Sequence, residues 1–213
     1  MPRISGKLFK GGFVTTTQRL ADFVRPTVFG RFRMVSYNHG GNFAFAAIQG
    51  ELPVDHLPVR VQSACLFGES LGVNSCDCAA QLHEAMRLAA QAPHFLVIHL
   101  PGHEGRGLGM FQKIKAVEEE AVAGVDMIEA FHRLGLPLDL RDYKVAADII
   151  RDLNGERPIR LYTNNPKKVH GLEEHGLTIS ERVPLLVEPP NDECRRYLNS
   201  KREGMGHLLP QLG

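Results

Sequence analysis

The chain has 213 residues, 43% of them hydrophobic and 23% charged, enough for one substantial core or two small ones and too apolar for disorder. Lysine and arginine number 25 against 24 aspartate and glutamate, so no lopsided field favours nucleic acid as a partner. No apolar run approaches the roughly 20 residues that span a bilayer, and the N-terminal segment lacks the apolar stretch of a secretory signal; a cytoplasmic protein without membrane partners is expected.

Residues 1–25 are polar and rich in Gly and Thr and read as an N-terminal arm, loosely ordered; residues 26–213 read as a single domain. TVFGRFRMVSY alternates in part, the Gly40-Gly41 pair marks a turn, and NFAFAAIQGEL alternates again. Pro58 to Gln62 continues as a strand running into Cys65. Beyond Cys78 the period becomes helical, with Leu82, Met86 and Ala89 on one face and an end before Pro93. FLVIHL (95–100) reads as a buried strand, followed by a Gly-rich loop to Gly109. Helices are expected at about 110–122, 127–134 and 144–153. IRLYT (159–163) reads as a strand, Pro166 as the start of a helix, LTISERVPLLV as extended, and 192–203 as the last helix. Strands alternating with helices predict an α/β fold, a layered domain with a mixed β-sheet flanked by helices.

Three of the four cysteines, Cys65, Cys76 and Cys78, fall within fourteen residues, a spacing that points to a metal or a reactive thiol in a reducing compartment. Cys78 precedes a helix, whose N-terminus favours thiolates, the form that binds zinc. Three protein ligands would leave a fourth position for water, the catalytic arrangement, and zinc would make that water nucleophilic near neutral pH. Three buried, inert cysteines are the plainer alternative. His83, one helical turn beyond Cys78, offers a fourth ligand or simply faces solvent, and Cys194 reads as a bystander. No GxxxxGK[ST] loop is present, and Gly105, Gly107 and Gly109 do not form the dinucleotide fingerprint; they suit close backbone approach or a turn.

RVQSACLFGESLGVNSCDCAAQL resembles the zinc-binding segment of the GTP cyclohydrolase II family. HEGRGLGMFQKIKA, LDLRDYKVAADI and LYTNNPKKVHGL agree with that family in order and spacing, and SERVPLLVEPPNDECRRYLNSKREGMGHLL is similar to its C-terminal signature. The resemblance runs from about Pro26 to Leu209 and makes 26–213 a catalytic domain. It implies that GTP loses pyrophosphate, that its imidazole ring is opened at carbon 8, and that formate leaves a diaminopyrimidine ribosyl phosphate, the start of flavin biosynthesis. Zn2+ would activate water and Mg2+ would assist at the triphosphate. By position, Cys65, Cys76 and Cys78 would ligate zinc. Arg141 would attack the α-phosphorus with Asp139 as its base; alternatively Arg141 only clamps phosphate while Asp139 orients it, since arginine deprotonation is so costly. Nucleotide contacts would fall on Arg60, Val61, Gln62, Ser63, Ala64, Gln81, Glu104, Gly105, Arg106, Thr163 and Lys168. Among these, Lys168 and Arg106 suit the triphosphate and Glu104 a guanine edge. The resemblance also implies a homodimer.

Three positions depart from the family pattern. Val117 stands where the family has a tyrosine whose hydroxyl orients water, and valine makes no hydrogen bond. Met127 replaces a threonine, and Gly102-His103 replaces Arg-Gln. Drift with local compensation is one explanation. The other is that zinc and phosphate chemistry persist while a later hydrolysis or the base specificity has changed, leaving a formamidopyrimidine product or another purine nucleotide as substrate. A catalytically inactive nucleotide-binding regulator is the competing class, and it would have no need of three thiolates.

Overall fold

The computed structural model describes residues 16–210. Seven strands, β1 (Gln18–Thr27), β2 (Gly30–His39), β3 (Asn42–Gln49), β4 (Leu57–Ser63), β5 (Phe95–Leu100), β6 (Ile159–Tyr162) and β7 (Ile179–Val183), form one sheet. Its order is β1-β2-β3-β5-β4-β6-β7. The β1, β2, β3 and β5 neighbours pair antiparallel, while β5, β4, β6 and β7 run parallel. The sheet is therefore mixed and the fold α/β, as the sequence predicts. No helix among the described residues is long and apolar enough to cross a membrane.

The described residues form seven α-helices: α1 (Leu66–Glu69), α2 (Cys78–Gln91), α3 (Met110–Ala123), α4 (Met127–Arg133), α5 (Lys144–Asn154), α6 (Pro166–Glu174) and α7 (Asp192–Met205). One face buries Val35, Ile48, Val59, Val61, Ile98 and Leu161 against Ala146, Ile149 and Ile150 of α5 and Leu172 of α6. The other face packs Phe32, Ala47, Phe95 and Val97 against Ala85, Met86 and Ala89 of α2. Both faces being covered explains the near-continuous apolar text of β5. A smaller cluster of Ala116, Met127, Phe131 and Met205 binds α3, α4 and α7 to one another away from the sheet.

The N-terminal boundary differs from the sequence expectation. Gln18 to Arg25, assigned to the arm, belong to β1, and residues 1–15 lie outside the described residues. As an edge strand β1 is exposed along almost its whole length, so it shows no buried alternation to read. Backbone pairing with β2 and the ion pairs Arg33–Asp22 (2.5 Å) and Arg19–Asp152 (2.6 Å) hold it in place. The short α1, also not anticipated, is capped by Cys65, whose Sγ accepts the Gly68 N–H at 3.4 Å.

Parallel strands deliver their C-terminal ends to one edge, the usual place for a ligand in such sheets. Here β4 ends at Ser63-Ala64-Cys65, β6 at Thr163-Asn164-Asn165, and β5 in irregular 3-10 turns over Pro101–Gly107. Facing these ends is the unit of α3, α4 and α7. A cavity of about 750 Å³ lies between them.

Candidate functional site

The Sγ atoms of Cys65, Cys76 and Cys78 lie within 4.8 Å of one another at one end of this cavity. The Cys65–Cys76 separation is 3.9 Å, close to the ~3.8 Å edge of a tetrahedron with Zn–S bonds of ~2.3 Å. Gly68 makes the approach feasible: a Cβ there would stand 3.0 Å from the Cys76 sulfur. Hydrogen bonds from Cys76 and Cys78, with smaller help from Gly68 N–H and Lys113, hold Cys65 far below the ordinary thiol range, and the same bonds push Cys76 and Cys78 up. Thiols bind a metal as thiolates, so ligation of a dication would release the protons that remain on the trio. The donor set fits a soft or borderline dication. His83 is not a fourth ligand: it is exposed on α2 and stacks 5.4 Å from the Phe29 ring. Cys194 is buried in α7 beside Leu198 and Leu209, outside the trio.

The sheet side of the cavity carries buried cations. Alternation along β4 sends Val59 and Val61 into the core and Arg60 and Gln62 toward α2 and the cavity. Arg60 donates to Gln81 Oε1 (2.6 Å), Gln62 Oε1 (2.7 Å) and the Tyr162 carbonyl (3.1 Å), and burial lowers its pKa to about 10. Lys168, from the first turn of α6, donates to the Val61 carbonyl at 2.6 Å. Burial, then repulsion from Arg60 and Arg141, drives its pKa well below the lysine range. Cations crowded until one is pushed toward neutrality are what an incoming polyanion relieves. Val61 itself contributes only that carbonyl; its side chain is in the core. Thr163 and Ala64 line the cavity at the ends of β6 and β4.

Arg141 makes a two-pronged bond with Asp139, Nε to Oδ1 at 2.8 Å and Nη2 to Oδ2 at 2.6 Å. Burial is the largest single influence on the Arg141 guanidinium and would lower its pKa, but the Asp139 hydrogen bond together with the charge attraction of Tyr143, Asp139 and Tyr197 raises the value; Asp139 is likewise held low against its own burial. Both groups are thus firmly charged. His103, 7% exposed, has Nδ1 3.2 Å from Ser63 Oγ and Nε2 2.8 Å from the Asp142 carbonyl. The carbonyl requires Nε2–H, and burial lowers the pKa of the ring to about 4, which favours the neutral form with Ser63 donating to Nδ1.

The 101–107 segment is broken where Gly105 and Arg106 take φ of +58° and +59°. At Gly107, φ is +84° and a Cβ would meet the Leu140 backbone at 3.0 Å, so the chain passes too closely for a side chain. This turn stacks Arg106 over the Phe131 ring (4.8 Å) with Nη1 on the Leu138 carbonyl, and leaves Nη2 buried without a partner. The Glu104 carboxylate is taken up by the Leu66 N–H (2.8 Å) and by Lys113. The facing wall brings Ala116 and Val117 from α3 and Met127 and Phe131 from α4 beside charged groups of α3 and α7, among them Lys113, Glu120 and Lys201. His103, Val117 and Met127, the three positions expected from the sequence to depart from the family pattern, all line this one cavity.

Several lining residues were not singled out from the sequence. Lys113 of α3 donates to Cys65 Sγ at 3.1 Å. Lys201 of α7 pairs with Asp77 at 3.0 Å and lies 4.1 Å over the Tyr197 ring. Burial pushes Glu120 up to about 7, and burial with Lys201 and Arg141 pushes His207 down to about 3. The i, i+4 spacing of Lys113 and Val117 was the available signal for the first. Lys201 and His207 sit in polar text with no periodicity to mark them.

The family model of GTP cyclohydrolase II matches residues 18–184. The chain is 42% identical over 200 residues to "GTP cyclohydrolase-2" of Streptomyces coelicolor, covering 93% of this chain and 89% of that protein. It is 40% identical over 205 residues to "Riboflavin biosynthesis protein RibBA" of Bacillus subtilis and 41% over 198 residues to that of Aquifex aeolicus. The chain spans 50% and 48% of those two longer relatives. Among solved structures, "RibBX, a two domain 3,4-dihydroxy-2-butanone 4-phosphate synthase" from A. baumannii gives a TM-score of 0.43 at 18% identity, over 81% of this chain and 41% of that one, a likeness too slight to bear on the site.

Proposed function

Since the chain belongs to the GTP cyclohydrolase II family, we propose that it is a zinc-dependent hydrolase that releases pyrophosphate from GTP and opens the imidazole ring, as in the first step of riboflavin biosynthesis. The observation that carries this reading is the juxtaposition in one cavity of three clustered thiols and a wall of buried cations. Cys65, Cys76 and Cys78 would hold the zinc, which when bound supplies the Lewis acidity that makes water nucleophilic near neutral pH. Lys168 and Arg60 receive the triphosphate together with its Mg2+, and Arg141 meets the α-phosphate. The firm charge on both members of the Arg141–Asp139 pair favours a phosphate clamp oriented by Asp139 over a nucleophilic arginine. The nucleotide then lies with its triphosphate along β4 and α6 and its imidazole edge at the thiols. The enzyme would work in the cytoplasm as a homodimer.

A second reading within this chemistry is favoured by Val117, which is 39% exposed and lines the cavity, and by Met127 on the neighbouring helix. With no hydroxyl from either, the enzyme would keep the formyl group and stop at the formamidopyrimidine. Incubating zinc-loaded protein with GTP and Mg2+, with separate assays for pyrophosphate and formate and mass spectrometry of the nucleotide product, tests both. Formate with pyrophosphate supports the complete reaction, and pyrophosphate with a water adduct but no formate supports the second reading. Untouched GTP defeats both.

A further inference from the structure

Three thiolates around a dication carry a net charge of −1, and a half-buried site holds that charge poorly unless something offsets it. Among the described residues, Lys113 is the ammonium within hydrogen-bonding distance of a cluster sulfur, with Nζ 3.1 Å from Cys65 Sγ. Its side chain is 16% exposed and is held from two further directions, by the Glu104 carboxylate and by the Phe67 ring 5.0 Å away. Glu104 is itself anchored by the Leu66 N–H at 2.8 Å, the residue after Cys65. The contacts therefore close a ring, Cys65–Lys113–Glu104–Leu66, that ties α1, the turn before α3 and α3 itself to one sulfur.

We infer that Lys113 is a positioning residue for the metal: its N–H···S bond fixes the direction of the Cys65 sulfur and offsets part of the thiolate charge, so that it sets how tightly the three cysteines hold a dication. This inference rests on the metal-binding reading of the cysteine cluster. A lysine serving only as the partner of Glu104 would hold the turn in place without altering the sulfur. The two roles separate in the electronic state of the ligand, because a hydrogen bond to a thiolate draws electron density from it.

The test uses the full chain loaded with Zn2+ for affinity and with Co2+ for spectroscopy. Chelator competition should show Lys113→Met holding Zn2+ roughly 10–100-fold more weakly than the wild type, the range for losing an outer-shell partner of a metal ligand. The sulfur-to-cobalt charge-transfer band should move to lower energy, because the thiolate becomes more electron-rich. Lys113→Arg keeps a charged donor and should restore most of the affinity. Lys113→Gln keeps a neutral donor with less disturbance and should show both effects at smaller amplitude, which preserves the readout if the methionine variant does not fold. Unchanged Zn2+ affinity and an unchanged band in Lys113→Met, or in Lys113→Gln where only that variant folds, would overturn the inference while leaving the metal site intact. Failure of the wild type to bind either ion stoichiometrically would defeat the metal reading itself, and this inference with it.

Discussion

The two long walls of the cavity hold their side chains by opposite means. On the sheet side, Arg60, Lys168 and Arg141 are charged groups inside or beside the core, each with its protons placed on named carbonyls, amides or a carboxylate. On the helical side, Met127 packs in the small cluster formed by α3, α4 and α7, and Val117, 39% exposed, lines the cavity from α3; neither has a polar group to place. A buried cation with fixed partners cannot be altered alone, since its acceptors would be left unsatisfied at about 1–3 kcal/mol each. An apolar residue at a half-open wall can be exchanged with little penalty to the fold. The first wall is therefore suited to a fixed task, gripping phosphate, and the second is where the course of the reaction can be retuned.

The most severe break of this contrast is at the thiol end that both walls share. Cys76→Ser should abolish stoichiometric metal binding and ring opening together, measured by metal analysis and by the loss of guanine absorbance; a variant that keeps full turnover would sink the zinc mechanism. On the charged wall, Lys168→Met should lower kcat/KM for GTP by about 100-fold, the scale of a lost charge-assisted phosphate contact. Its unfolding free energy should change by less than that loss of activity implies, because relief from burying the cation offsets the Val61 carbonyl left without its donor. A matched fall in stability and activity would mean that Lys168 serves the core, not the ligand.

A third effect comes from His103, which belongs to the charged wall but is held neutral. Its pKa falls from 6.5 to about 4 on folding because of burial. Below pH 6.5 the unfolded chain takes up a proton that the folded chain does not, so stability is full above that pH and declines as the pH drops toward 4. The contribution lost is about 3 kcal/mol. Denaturant titrations of the wild type and His103→Gln across this window should differ by that slope; parallel curves would show that some other group governs the acid limb.

How far the site could be read from the sequence follows the same division. The cysteine spacing, the apolar run of β5 and the helical period after Cys78 are local signals, and the structure bears out the α/β fold they predicted. Lys201 and His207 enter the cavity through tertiary geometry: each is a polar residue in charged text, and the packing of α7 against α3 and α4 carries them there. The placement of β1 was missed for a related reason, since a solvent-exposed edge strand coheres through backbone pairing and ion pairs that leave no alternation. Glu104 illustrates a third kind of gap. Read alone it is an ordinary loop carboxylate, and only the resemblance makes it an acceptor for a guanine edge; the fold joins its oxygens to Lys113 and the Leu66 N–H.

Val117→Tyr tests the helical wall directly and should have the smallest effect on binding. The position is on the face of α3 that carries Lys113 one turn earlier, so a side chain there extends along the cavity toward the thiol end. Val117 is 39% exposed and lines a cavity of about 750 Å³, so a tyrosine ring is expected to fit there. Nothing on the charged wall changes, so pyrophosphate release and the KM for GTP should stay within about twofold of the wild type. The ratio of formate to pyrophosphate should rise about tenfold if the absent hydroxyl limits the second hydrolysis, a modest share of what a positioned proton-transfer group can contribute. A fall in GTP affinity instead would mean that α3 contacts the nucleotide as tightly as β4 does, and the contrast between the walls would fail. An unchanged ratio with unchanged affinity would move the limit to Met127 or His103, the two other cavity positions expected from the sequence to depart from the family pattern.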